Sequence, residues 1–163
     1  TVLNRTVALL EGQAPGLDFA DTLHELANAS FYAGRYDDSE AMNRRALEIY
    51  QEVLGPQHPQ AADTLVNLGA IAFERGRDSE AERLFREGLA LTERWHGHDH
   101  VRTANNLVML GRVLVRRKKN DEAALVLARA LAGRERAYGP VHPGVASVLN
   151  ELGTLARNTG RLE

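Results

Sequence analysis

TLVNLGAIAFERGRDSEAERLFREGL, residues 64–89, is the stretch that decides the architecture. Leu65, Leu68, Gly69, Ala72 and Phe73 recur at the three- and four-residue steps that put side chains on one face of a helix. Gly76-Arg77-Asp78 interrupts the run, and Gly76 suits the left-handed turn that closes a helix. A second apolar series follows: Ala81, Leu84, Phe85, Gly88 and Leu89. The segment therefore reads as two amphipathic helices joined by a tight turn.

The same pair recurs along the chain with a period of 42 residues. Leu65 belongs to the set Leu23, Leu65, Leu107 and Leu149, and Leu68 to the set Leu26, Leu68, Leu110 and Leu152. Small residues follow them at Ala27, Gly69, Gly111 and Gly153. The second helices carry a matching small set at Ser39, Ala81 and Ala123. A glycine inside a helix costs about 1 kcal/mol relative to alanine, so its return at one position of the period implies an offsetting contact. The sequence suggests close approach of two helix backbones there. The longer loops share the period too: Gly55-Pro56-Gln57-His58-Pro59 matches Gly139-Pro140-Val141-His142-Pro143, and Gly97-His98-Asp99-His100-Val101 is the version without prolines. Glycine after one helix and proline opening the next is the usual punctuation. At the turn of the third unit, Lys118 takes the place of glycine, with Asn120 close by.

A fixed period in this range marks a stacked array in which each unit buries its apolar face only against its neighbours. The expected fold is all-α, a right-handed α-solenoid of antiparallel helix pairs. Helices are expected at about 2–12, 18–33, 37–54, 60–75, 79–96, 101–117, 120–138 and 143–159. The chain divides into a single domain: 1–17 as the second helix of a preceding unit, repeats at 18–59, 60–101 and 102–143, and the first helix of a fourth at 144–163. With no methionine at its start and an unpaired helix at its end, it reads as a piece of a longer protein.

Composition narrows the function. The chain has 163 residues, 44% of them hydrophobic, which is enough to build a core. A net charge of −2 does not suit a general nucleic-acid binder. The absence of cysteine excludes disulfides, thiolate metal sites and cysteine nucleophiles, and fits a cytoplasmic location. No apolar run reaches the roughly 18 residues of a membrane span. There is no phosphate-binding glycine loop, nucleophile elbow or His-Glu-x-x-His, so neither an enzyme nor a cofactor is expected.

The pattern Leu-x-x-Leu-Gly, a turn glycine, then alanine, an aromatic and Ala-Leu resembles the tetratricopeptide repeat. The ordinary repeat is about 34 residues long. The longer period here, with Thr-Leu-x-Asn-Leu at 64–68, Arg-Arg-Ala-Leu-Glu-Ile at 44–49 and Leu-Gly-Pro-Gln-His-Pro at 54–59, resembles the kinesin light chain type. That resemblance implies a superhelix whose first helices line a concave groove for a peptide or partner domain. It places His24, Asn28, Asn67, Ala70, Phe73, Met109, Arg112, Arg116, Asn150 and Arg157 on that surface. It also implies that an asparagine just before the second leucine holds the backbone of an extended peptide. Asn67 stands there, and Glu25, Met109 and Glu151 replace it in the other units. The groove reads acidic at its first end and basic at its last, where Arg112, Arg116 and Arg157 favour a carboxylate-bearing partner.

Three other readings remain open. Trp95-His96-Gly97-His98-Asp99-His100 suggests a weak metal site through His96, His98 and His100, although the loop equivalents His58 and His142 point to a structural role. Arg116-Arg117-Lys118-Lys119 suggests a nucleic-acid or anionic-lipid patch, although no aromatic residues interleave it and it sits at a helix end, where cations are favoured by the dipole. The array is also suited to pack against another part of its parent chain, or end to end against a copy of itself.

Overall fold

The computed structural model describes residues 16–160, and these form seven helices. They are α1 (Leu17–Tyr32), α2 (Tyr36–Leu54), α3 (Pro59–Glu74), α4 (Asp78–His96), α5 (Val101–Arg116), α6 (Asn120–Tyr138) and α7 (Pro143–Thr159). Each boundary falls within about one residue of the sequence expectation, because each is set by residues that cannot continue a helix. Pro59 and Pro143 open α3 and α7. Lys118 does adopt the left-handed conformation of its equivalents Gly34 and Gly76, with φ of 60° against 73° and 72°. The helix expected at 2–12 lies outside the described residues.

The helices pair as α1 with α2, α3 with α4 and α5 with α6, and every helix also packs on the next in the chain. First helices touch one another: α1 meets α3, α3 meets α5 and α5 meets α7. This is the α-solenoid that the period implied, with the first helices on one common face.

The repeated glycines are explained differently from the sequence reading. Backbones do not approach at Gly69 and Gly111. The space is filled by a side chain of the partner helix. A methyl group added to Gly69 would stand 2.8 Å from the Phe85 ring, and one added to Gly111 would stand 2.6 Å from Leu127 Cγ. Phe85 and Leu127 are in turn fully buried, each contributing about 2–3 kcal/mol through burial. Close backbone approach occurs instead at Gly88, where an added methyl would meet Val66 Cγ2 at 2.8 Å and the Ala62 carbonyl at 3.2 Å. Gly153 has open space beside it among the described residues. Leu149, whose equivalents Leu23, Leu65 and Leu107 are buried, is 51% exposed.

Charge ties the convex side together. Glu40 on α2 is almost buried, and three arginines converge on it: Arg44 from its own helix, and Arg75 and Arg77 from the next turn. One period later, Glu82 on α4 repeats this with Arg86, Arg117 and Lys119. Arg117 and Lys119 of the basic run therefore belong to a repeat-to-repeat clamp. Burial raises the Glu82 carboxyl, but hydrogen bonds from Lys119 and Arg86 outweigh it and hold the group below the ordinary carboxylate range. Glu40 is lowered chiefly by its hydrogen bond from Arg77, against the burial that raises it.

These contacts give two expectations for urea denaturation. Gly111→Ala should destabilise the chain by about 1–3 kcal/mol through overpacking, whereas Gly153→Ala should stabilise it by up to about 1 kcal/mol. Equal effects would refute side-chain filling at Gly111. Glu82→Gln should cost about 2 kcal/mol at neutral pH, as expected for lost hydrogen bonds to a charged group. Because the folded carboxyl titrates below the unfolded one, its stabilisation is present above the unfolded value and fades as pH falls through the folded value. The gap between the two proteins should therefore close below about pH 4.

Candidate functional site

The concave face is built from the first helices. The Leu-x-x-Leu face of α1, α3 and α5 points inward to the core, and Asn67 and Met109, between the leucines, lie on the groove side. At its first end, α1 and α3 are joined by polar side chains. Asn67 Nδ2 donates to Asn28 Oδ1 at 2.8 Å and lies 3.5 Å from His24 Nε2. Asp21 Oδ1 accepts from the Tyr50 hydroxyl at 2.7 Å and from Gln60 Nε2 at 3.0 Å. Burial, reinforced by this bond to Asp21, pushes the Tyr50 phenol far above its ordinary value, so it stays protonated and donates to Asp21.

Beyond this network the groove deepens into a cavity of about 300 Å³ between α1, α3 and α5. Six of the residues expected at the site line it: Asn28, Asn67, Ala70, Phe73, Met109 and Arg112. His24 stands next to it through Asn67. Asn150 and Arg157 lie further along, on α7, and do not reach it. Val108, beside Met109 on α5, is buried.

The arginines expected to await an acidic partner are already engaged. The Arg116 guanidinium lies 3.5 Å from the centre of the Phe73 ring, donates to the Phe73 carbonyl at 2.6 Å and pairs with Asp78. Arg112 approaches the same ring at 5.2 Å and pairs with Glu151 at 3.3 Å. Arg157 reaches Thr154 at 3.0 Å. Two cations over one ring and two carboxylates beside them make a closed set in the middle of the groove.

The sequence reading missed the cavity floor. Ser39 and Asn43 of α2 form part of it, and both are buried. Asn43 donates to the Ser39 carbonyl at 3.0 Å, but its own Oδ1 has no hydrogen-bond partner. The signal was available one period on: Phe85 and Leu127 fill the positions where α2 has Asn43. Trp95, near the end of α4, is 53% exposed, and its indole donates to the Gln57 carbonyl in the loop before α3.

The histidine-rich loop has a structural use. His58, His100 and His142 each precede a first helix and accept, through Nδ1, the backbone N–H two residues on, at 3.4, 3.1 and 3.0 Å. They are N-caps, satisfying a helix donor that the chain cannot. His96 stacks on His100 at 4.7 Å, and His98 sits 3.2 Å from Glu93. Among the described residues no three His, Cys, Asp or Glu side chains are grouped to hold a metal ion. No helix among them is long and apolar enough to cross a membrane.

Comparison with known proteins agrees with this geometry. The family model described as tetratricopeptide repeat matches residues 18–94 and 80–136. BtubC (BKLC) from P. vanneervenii superposes with a TM-score of 0.80 at 23% identity, over 91% of this chain and 60% of that one. A candidate kinesin light chain from Podosopora anserina, with nearly identical TPR-like repeats, gives 0.80 at 18% identity over 91% and 70%. The apo form of RapI gives 0.79 at 16% identity over 93% and 40%. The chain thus spans about 60% of the BtubC chain's length. No curated protein matches the chain by sequence.

The capping role carries its own test. His100→Ala should lower stability by about 1 kcal/mol, and His100→Asn, which keeps an acceptor at the same place, should restore most of it. Thermal melts of the three proteins would show this, and an asparagine variant no better than alanine would refute the cap.

Proposed function

The chain belongs to the tetratricopeptide repeat family, and from that premise we propose that it is a protein–protein interaction scaffold whose concave groove receives an extended segment of a partner. The observation that carries this reading is the cavity of about 300 Å³ in the groove, lined by Ala70, Phe73 and Met109 between rims of polar side chains. An apolar hollow with a few convergent polar groups is the usual form of a binding site. The groove is preformed by rigid helices, so little ordering cost opposes binding. Its charge is divided, with Asp21 and Glu25 toward α1 and Arg112 and Arg157 toward α7. An acidic part of a partner would lie toward α7, but to engage Arg112 it must compete with Glu151. The absence of cysteine supports a cytoplasmic setting for this scaffold.

A second reading rests on α7. Its half-exposed Leu149 and the open side of Gly153 are positions that the earlier repeats cover. That face suits packing by a further helix, from the parent protein or from a second copy. Light scattering across a concentration series would detect self-association, and a mass that stays monomeric throughout would exclude the second-copy form.

The groove reading is tested with displayed random peptides selected on the 163-residue chain. Selected peptides should lose at least about tenfold in affinity on Ala70→Trp, which fills the hollow, a loss of about 1.4 kcal/mol or more. They should bind Arg45→Ala, on the convex side, as tightly as the parent. Equal affinity for all three proteins would place binding outside the groove.

A further inference from the structure

The array displays, one repeat along, the kind of group that its own cavity lacks. In the second repeat the aromatic Phe73 is covered by Arg116 and Arg112 from the next first helix. Stepping back one period gives Phe31 for Phe73, Glu74 for Arg116 and Ala70 for Arg112. The first repeat therefore keeps the ring but has no arginine to cover it. The cavity lies at this place, with Phe31, Ala70 and Glu74 all on its wall.

What lines the cavity asks for a cation with hydrogen-bond donors. Phe31, Tyr32 and Phe73 present ring surface, which attracts cations. Glu74 has no ion-pair partner among the described residues, whereas Arg116 at the equivalent position is fully engaged. The buried Asn43 Oδ1 is an acceptor without a donor, and Asn43 is only 1% exposed. The C-terminal ends of α1 and α3, at Tyr32 and Glu74, add the negative poles of two helices. Opposing charge is neutralised, since Arg112 at the cavity's far wall is paired with Glu151.

We propose that this cavity is a subsite for an arginine side chain of the partner segment, its guanidinium stacked on Phe31 and bonded to Glu74, as Arg116 is stacked on Phe73 and bonded to Asp78. The Asn43 carbonyl takes one further N–H at the floor. Arginine fits better than lysine because a planar guanidinium can stack on a ring and donate in several directions at once. The subsite rests on the groove reading above and gives it a specificity: a basic residue toward α1, with acidic ones, if present, toward α7.

The test uses two small probes on the intact chain, Nα-acetylarginine amide and its neutral isostere Nα-acetylcitrulline amide, titrated by backbone amide NMR. The arginine probe should shift Phe31, Ala70 and Glu74 and bind at least about fivefold more tightly than citrulline, the scale of a cation–π contact plus a partly exposed ion pair. Glu74→Gln should bring the two probes close to equality. Glu74→Arg, which restores the residue type of the next repeat, should fill the subsite from within and abolish the shifts while the remaining spectrum shows a folded chain. Equal binding of the two probes, shifts confined to other residues, no binding of the arginine probe, or undiminished binding by Glu74→Arg would each overturn the proposal. Because no partner takes part, such a result leaves the groove reading to stand or fall on the selected peptides.

Discussion

The seating of a large second-helix side chain on a first-helix residue that has almost none sets the geometry of each helix pair. Phe85 lies on Gly69 and Leu127 on Gly111, with no room for a methyl group between them. The first pair solves the same problem from the other side: Ala27 carries the methyl group, and its partner position holds the shorter Asn43. The Ala27–Asn43 pair divides the space differently and fills less of it than Gly69–Phe85. Once that distance is fixed, leucines at a constant register can fill the space to either side, and successive pairs stack at a constant step.

The exchange that keeps the first pair packed also produces the groove's hollow. Asparagine is shorter than phenylalanine and carries a polar end, so the floor there is both lower and unsatisfied. Packing and binding therefore meet at one residue. The polar contacts divide by face. Carboxylate–arginine clusters at Glu40 and Glu82 hold the convex side, and amides, a carboxylate and a histidine join first helices on the concave side. Within the groove each arginine of the central set has its own carboxylate, Arg116 with Asp78 and Arg112 with Glu151, so local charge is set by a few residues.

How far the sequence disclosed this follows from what repetition can reveal. Helix limits were legible because Gly76, Pro59 and Pro143 break helices wherever they stand. The leucine and small-residue ladders were legible because equal positions face equal neighbours. Contacts between unlike positions are harder to read from the sequence, even where they recur one period on, as the Glu40 cluster does at Glu82. Arg75 and Arg77 reach back to Glu40, and Arg112 and Arg116 converge on Phe73, across gaps that are not the period. Arginines that looked available in the sequence are therefore occupied in the structure. Gly69 and Gly111 were correctly read as size limits and Gly153 was not, and whether a backbone or a side chain imposed the limit depended on the third dimension. Asn43 was passed over because it sits on a second helix, where only packing was expected.

One departure from the repeat bears on how the coil is fastened. Glu40 and Glu82 rivet consecutive units on the outer side, yet the residue at the same place in the third unit is Ala124, which offers no carboxylate. The superhelix is then fastened unevenly: two carboxylate-clamped seams are followed by one where Arg134 of α6 donates to the Gly144 carbonyl at 2.6 Å and the Ser147 hydroxyl at 3.1 Å on α7. The junction of α6 and α7 is thus the seam without a carboxylate rivet, at the far end of the described array from the hollow.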